Sequence, residues 1–244
     1  MRVILLGDSI TQGLGSKKIN FVEELKNLLS ENDSVYNLAM TGTVIDYTFS
    51  LFDQIEKISP DYVVIIYGNV DAMLKPNRKG KIFKKLPKRF KINNGSMLLP
   101  RPFYSRRWYK RLGQLFENFL RSIFRKIIFR VDGTEQWMPL EQFVENYSEL
   151  CSKLKALHIK PVLCSTVYID DKLFPGSVDE YQKYNEWLRK YSSQNDYVFV
   201  DLFNELKRHV LQDSWSKYYN YDHFHPNGNG YQIMARLIAK GLYS

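Results

Sequence analysis

Four small polar clusters in this 244-residue chain sit at the edges of apolar runs. They are Gly7-Asp8-Ser9-Ile10-Thr11, Asn37-Leu38-Ala39-Met40-Thr41-Gly42, Gly68-Asn69-Val70-Asp71 and Asp222-His223-Phe224-His225-Pro226-Asn227. Together they hold the parts for acyl transfer. A serine hydroxyl becomes a useful nucleophile when a neutral histidine takes its proton, and a carboxylate must fix that histidine's tautomer. Asp222 lies three residues before His225, in a turn stiffened by Pro226, so both side chains can face one serine. The oxyanion of a tetrahedral intermediate needs preorganised donors, which backbone N–H groups beside glycines and an Asn amide can supply. Each cluster alone has a plainer explanation. Gly-Asp-Ser after a strand is a common tight turn, Asp-x-x-His is a common local cap, and Gly42 and Asn69 suit turns. What carries weight is their joint placement.

That placement depends on the elements between them. Strand-like runs at Val3–Leu6, Ser34–Leu38, Tyr62–Tyr67, Pro161–Thr166 and Tyr197–Val200 alternate with helical periodicity. Helices are expected from Phe21 to Leu29, Ile45 to Ile58, Leu140 to Leu157, Val178 to Tyr191 and Gly230 to Leu242. Strands alternating with helices imply βαβ crossovers and a parallel sheet covered on both faces. Ligands of such sheets bind beyond the carboxyl ends of the strands, which is where the first three clusters fall.

With these blocks in view, the chain resembles the SGNH hydrolases, the GDSL esterase/lipase family. The resemblance rests on Gly7-Asp8-Ser9, on Asn37 through Gly42, and on Asp222-x-x-His225-Pro226-Asn227 with Gly230-Tyr231. Tyr184-Asn185-x-x-Leu188 resembles the helix before the family's fifth strand. The likeness covers about residues 1–74 and 139–244. It implies a flavodoxin-like three-layer α/β/α fold with a central parallel five-stranded sheet. It also implies Ser9 as nucleophile, His225 as base and Asp222 as orienter, with oxyanion donors from the Ser9 and Gly42 N–H groups and a third-block Asn. That third block departs from the family's Gly-x-Asn-Asp. Val70 stands where the Asn belongs, and Asn69, the expected donor, comes one place early.

The net charge of +9 has a map. Residues 75–130 hold eighteen of the 35 Lys and Arg but only one of the 26 acids, Glu117, so this segment carries +17 and the rest −8. The expected organisation is one domain over 1–244 with a basic, partly helical insert at about 75–138. Within the insert, Leu112, Leu115, Phe116, Phe119, Leu120, Ile123 and Ile127 recur at helical spacing, opposite Gln114, Asn118, Arg121, Ser122, Arg125 and Lys126. The plain expectation is a surface helix packing its apolar face on its own domain; contact with an anionic membrane or acidic polysaccharide, or a dimer interface, are the alternatives.

Other chemistries fit less well. Gly13-Leu14-Gly15 lacks the third glycine of a dinucleotide loop, no phosphate-loop sequence occurs, and His223 and His225 have no third ligand cluster, so no cofactor and no metal are expected. Cys151 and Cys164 cannot form a disulfide framework and are expected reduced. The opening Met1 to Gly7 reads as a strand rather than a signal segment, and the expected location is cytoplasmic, peripheral at a membrane if the insert binds lipid. The expected function is a serine ester hydrolase acting on a small-molecule or glycan ester. Alternatives are an O-acyltransferase or O-acetyl esterase on cell-surface polysaccharide or a lipid-linked glycan, and a non-catalytic polyanion- or membrane-binding module. Nucleic acid is not an expected partner, and the oligomeric state is open.

Overall fold

The computed structural model describes residues 1–16, 21–86, 88 and 98–243. Its centre is a five-stranded sheet in the order β2-β1-β3-β6-β7, built from β1 (Arg2–Gly7), β2 (Ser34–Asn37), β3 (Tyr62–Ile66), β6 (Lys160–Cys164) and β7 (Val198–Val200). Every pairing is parallel, with Leu5 opposite Asn37 on one side and Val64 on the other. Val3 to Leu6 and Val63 to Ile66 are wholly buried, as continuous apolar runs must be when helices cover both faces.

One face carries α1 (Phe21–Asn27) and the C-terminal helix α9 (Gly228–Leu242), joined where the Phe21 and Tyr231 rings lie 5.5 Å apart. The other face carries α2 (Phe52–Ile58), α5 (Leu140–Ala156) and α6 (Ser177–Asn195). Phe143 packs 4.8 Å from Tyr184, Tyr147 packs 5.6 Å from Trp187, and Lys153 lies over Phe52 at 5.5 Å. The expected three-layer α/β/α arrangement is therefore observed, with two differences. The helix expected over Ile45 to Ile58 starts as a 3-10 turn at Ile45–Leu51 before becoming α2. A helix not expected from the sequence, α7 (Leu202–Gln212), follows β7, is capped by the Asp201 side chain and leads to the single turn α8 (Trp215–Tyr218).

The chain leaves β1 for β2 on one side and returns to β3 on the other. A crevice therefore opens at the carboxyl ends of β1 and β3, where Ser9 and Gly68 to Asp71 emerge.

Between β3 and α5 lies the basic segment. Antiparallel β4 (Leu74–Pro76) and β5 (Thr134–Gln136) close its base, with Leu74 opposite Gln136. Its first part contains α3 (Lys81–Lys85), held by Asp132 accepting from Ile82 N at 3.2 Å and Phe83 N at 2.8 Å. Residues 87 and 89–97 of that stretch lie outside the described ones.

Its second part is α4 (Trp108–Asp132), and its orientation reverses the plain expectation. Arg121, Arg125 and Ile128 are buried, while Leu112, Phe116 and Phe119 are 57%, 63% and 60% exposed. The polar face packs inward on partners from the insert's own preceding segment and from the body. Gln114 Oε1 accepts from Ser105 N at 2.7 Å, Asn118 Oδ1 accepts from Arg101 N at 3.1 Å, and Arg125 donates to the Leu173 carbonyl. Arg121 and Arg101 both pair with Glu117.

Candidate active site

The turn after β1 is tight. A Cβ on Gly7 would sit 2.0 Å from Thr11 Oγ1, so only glycine lets the chain fold back there. Gln12 N then donates to Asp8 O at 3.0 Å and Leu14 N to Ser9 O at 2.9 Å, which sets Ser9 above the sheet edge.

The loop that faces it is fixed at both ends. Asn220 donates its backbone and side-chain N–H to His225 O, both at 3.0 Å. Asn227 caps α9 by accepting from Asn229 N at 3.0 Å, while its amide donates to Ser216 O and Tyr219 O, each at 3.2 Å. Within this clamp, Asp222 Oδ1 accepts from Phe224 N and His225 N at 3.1 Å, and Oδ2 lies 2.6 Å from His225 Nδ1. His225 Nε2 lies 2.9 Å from Ser9 Oγ. Residues 216 apart in sequence thus form one continuous serine–imidazole–carboxylate chain.

Gly42 takes a positive φ of 76°, and it lines the same cavity as Ser9. Neither the Ser9 nor the Gly42 backbone N–H has a hydrogen-bond partner among the described residues. Asn69 is placed differently. It is fully buried, its Oδ1 accepts from Val167 N at 2.8 Å, its amide reaches Ile66 O at 3.4 Å, and its carbonyl accepts from Tyr181 OH. Val70, not Asn69, lines the cavity.

Two groups named in the sequence only as neighbours have structural work. Asp71 accepts from Ile45 N at 2.9 Å and Gly68 N at 2.8 Å, tying the loop that carries Gly42 to the turn after β3. Burial pushes its carboxyl up to about 7, and burial likewise pushes that of Asp8 up to about 6 despite the bond from Ile10 N. A second His–carboxylate pair, not legible in the sequence, lies nearby. His223, at a left-handed φ of 50°, lies 2.8 Å from Asp170 Oδ2 through Nδ1 and stacks on Trp215 at 4.8 Å. No spacing rule links Asp170 to His223, and the only sequence signal was the alternation of the two histidines.

The cavity beside Ser9 holds about 510 Å³, with Leu14, Met73, Leu99, Trp137, Phe174 and Phe224 as its principal apolar walls. A larger one of about 650 Å³ opens at the opposite end of the sheet, where β3, β6 and β7 begin. It contains no nucleophile–base pair, so the smaller cavity is the one the chemistry selects. Among the described residues, no group of three or more His, Cys, Asp or Glu is placed to hold a metal.

Residues 5–233 match the model of the GDSL-like Lipase/Acylhydrolase family. The chain belongs to that family. Membership makes this GDSL-type chain a carboxylic ester hydrolase by class. No curated protein matches its sequence. Among solved structures, an acetylxylan esterase from Geobacillus stearothermophilus superposes with a TM-score of 0.65 at 15% identity, covering 99% of this chain and 93% of the other. An α/β hydrolase from the metagenome of Lake Arreo, Spain, gives 0.63 at 14% identity over 98% and 94%. A further acetyl xylan esterase gives 0.61 at 16% over 99% and 100%. At these identities the likeness establishes the shared fold of the GDSL-type chain. No described helix is long and apolar enough to cross a membrane.

Proposed function

We propose that the protein hydrolyses carboxylic esters through an acyl-enzyme on Ser9. The observation that carries this reading is the relay from Ser9 Oγ through His225 to Asp222, at 2.9 Å and 2.6 Å, beside a cavity that Ser9 and Gly42 both line. Ser9 Oγ attacks the carbonyl carbon while its proton passes to His225 Nε2. Asp222 holds Nδ1–H and stabilises the imidazolium. The Ser9 and Gly42 N–H groups donate to the oxyanion, the C–O bond to the alcohol breaks, and Nε2–H protonates the departing alkoxide. Water, deprotonated by His225, then attacks the acyl carbonyl and releases the acid from Ser9.

The apolar walls of the cavity suit an acyl group, and one comparison favours an acetyl group on a saccharide alcohol. The Geobacillus esterase, whose catalytic mutants replace a serine, an aspartate and a histidine, is named for acetylated xylan. A fluorophosphonate probe should label the wild-type protein and spare Ser9→Ala, and hydrolysis of a soluble acetyl ester should fall by about 10⁴-fold or more in that variant. An unlabelled wild-type protein would overturn the reading.

A further inference from the structure

Helix α4 has its chemistry outside in. Trp108, Leu112, Phe116, Phe119, Phe124 and Ile127 are between 45% and 74% exposed on its outer side. Cations frame this apolar strip. Arg106, Arg107, Lys110 and Arg111 stand exposed around its N-terminal end, and Lys126 and Arg130 around its C-terminal end. None of the six makes an ion pair with a described residue. We infer that this outer face is a docking surface for an anionic lipid bilayer, with α4 lying in the plane of the interface.

Three arguments select that occupant. An acidic polysaccharide would satisfy the cations but leave the aromatic and aliphatic side chains in water, whereas a bilayer takes both. A second copy of the chain would bury the apolar strip but would bring two sets of unpaired cations together, within a segment of net charge +17. The strip is also convex, the side of one long helix rather than a groove, and Trp108 and Tyr109 at its start suit the headgroup level, where an apolar ring and a polar tip are both accommodated.

The helix is fastened to the walls of the Ser9 cavity. Leu99, Pro100 and Pro102 line that cavity, and the Arg101 between them is held by Asn118 and Glu117 of α4. Phe174 lines it too, with the Arg125 guanidinium 5.6 Å from its ring and bonded to the carbonyl of Leu173. Docking would therefore hold the cavity walls within one helix of the lipid surface, which suits an ester borne at a membrane. That last clause rests on the esterase reading; docking itself does not.

The test is cosedimentation of the full chain with phosphatidylcholine vesicles, with and without phosphatidylglycerol, for wild type, Ser9→Ala, Phe116→Asp/Phe119→Asp and Lys126→Gln/Arg130→Gln. Wild type and Ser9→Ala should bind the anionic vesicles alike, with affinity falling as salt rises. The Phe pair should lose at least about tenfold. The Lys/Arg pair should lose about fivefold per charge removed. Far-ultraviolet circular dichroism, unchanged in both double variants, reports that they fold. Equal binding to uncharged vesicles, no binding, or undiminished binding by the Phe pair would overturn the inference. So would a wild-type dimer in light scattering that the Phe substitutions dissociate.

Discussion

Val70→Asn should make this protein a faster enzyme, and Asn69→Ala should leave its rate nearly untouched. Val70 is 7% exposed and lines the cavity with Ser9 and Gly42, whereas Asn69 is spent on Val167 N. One oxyanion donor is worth about 10²–10³ in kcat, or about 3–4 kcal/mol of transition-state stabilisation. An amide introduced without its neighbours having adapted to it should recover part of that, so a rise of about ten- to hundredfold is expected. Replacing a nearly buried isopropyl group by a carboxamide should cost about 1–2 kcal/mol of stability. Asn69→Ala strips the partner from a buried Val167 N–H and should cost about 1–3 kcal/mol in stability while kcat changes only a few-fold. Steady-state hydrolysis of a soluble acetyl ester gives the rates, and urea unfolding of the same samples separates activity from folding. The reasoning is refuted if folded Asn69→Ala loses a hundredfold in kcat, since Asn69 would then be the donor after all. It is equally refuted if folded Val70→Asn gains nothing, since the missing donor would then come from elsewhere.

Two further outcomes follow from buried groups around the site. Asp71 and Asp8 titrate near 7 and 6 in the folded protein, but near 4 once unfolded, so between about pH 4 and 7 the folded state holds more protons. Stability conferred by these two should thus be greatest below the unfolded value and decline as pH rises towards 7, by a few kcal/mol. Urea unfolding at pH 5 and pH 7.5 should show a larger loss in wild type than in Asp71→Asn, and equal losses would sink the assignment. His223→Ala should lower kcat about tenfold with little change in KM, because its bond to Asp170 and stack on Trp215 hold the loop bearing Asp222 and His225. His223→Asn, which tolerates the positive φ, should restore most of that activity, and a KM effect without a kcat effect would refute a positioning role.

The parts of the site that stood out in the sequence are those whose function demands a residue type at a fixed local spacing. Ser9 follows directly from β1, and Asp222 and His225 are three apart, so strand-end logic and tautomer chemistry together pointed to them. The Gly68-Asn69-Val70-Asp71 turn was harder to read for a stated reason: adjacent residues in a turn point in different directions. A shift of one place decides whether an amide faces substrate or Val167 N, and only the backbone path settles it. Asp170 could not be found in the sequence, because its partner lies 53 residues away on another loop. The cavity walls are equally long-range, since Leu99, Trp137 and Phe174 come from three separate segments.

Helix α4 shows a different limit. Its periodicity fixed that it would be a helix with two unlike faces, but a period carries no sign: it does not say which face turns inward. For most surface helices the hydrophobic effect decides, and the apolar side is buried. Here the inner surface is lined with backbone N–H groups at Arg101 and Ser105, the carbonyl of Leu173 and the ring of Phe174. Amides and guanidinium groups can satisfy these, and leucines cannot. Turning the helix over would bury the Phe116 and Phe119 rings but would take the Gln114, Asn118 and Arg125 partners away from these groups, although Nε and Nη1 of Arg125 stay buried without a partner in the observed orientation. It leaves a long apolar strip exposed beside six cations that make no ion pair with a described residue, and the bilayer proposal rests on that combination. The net charge of the chain is therefore set by the insert, not by the catalytic body.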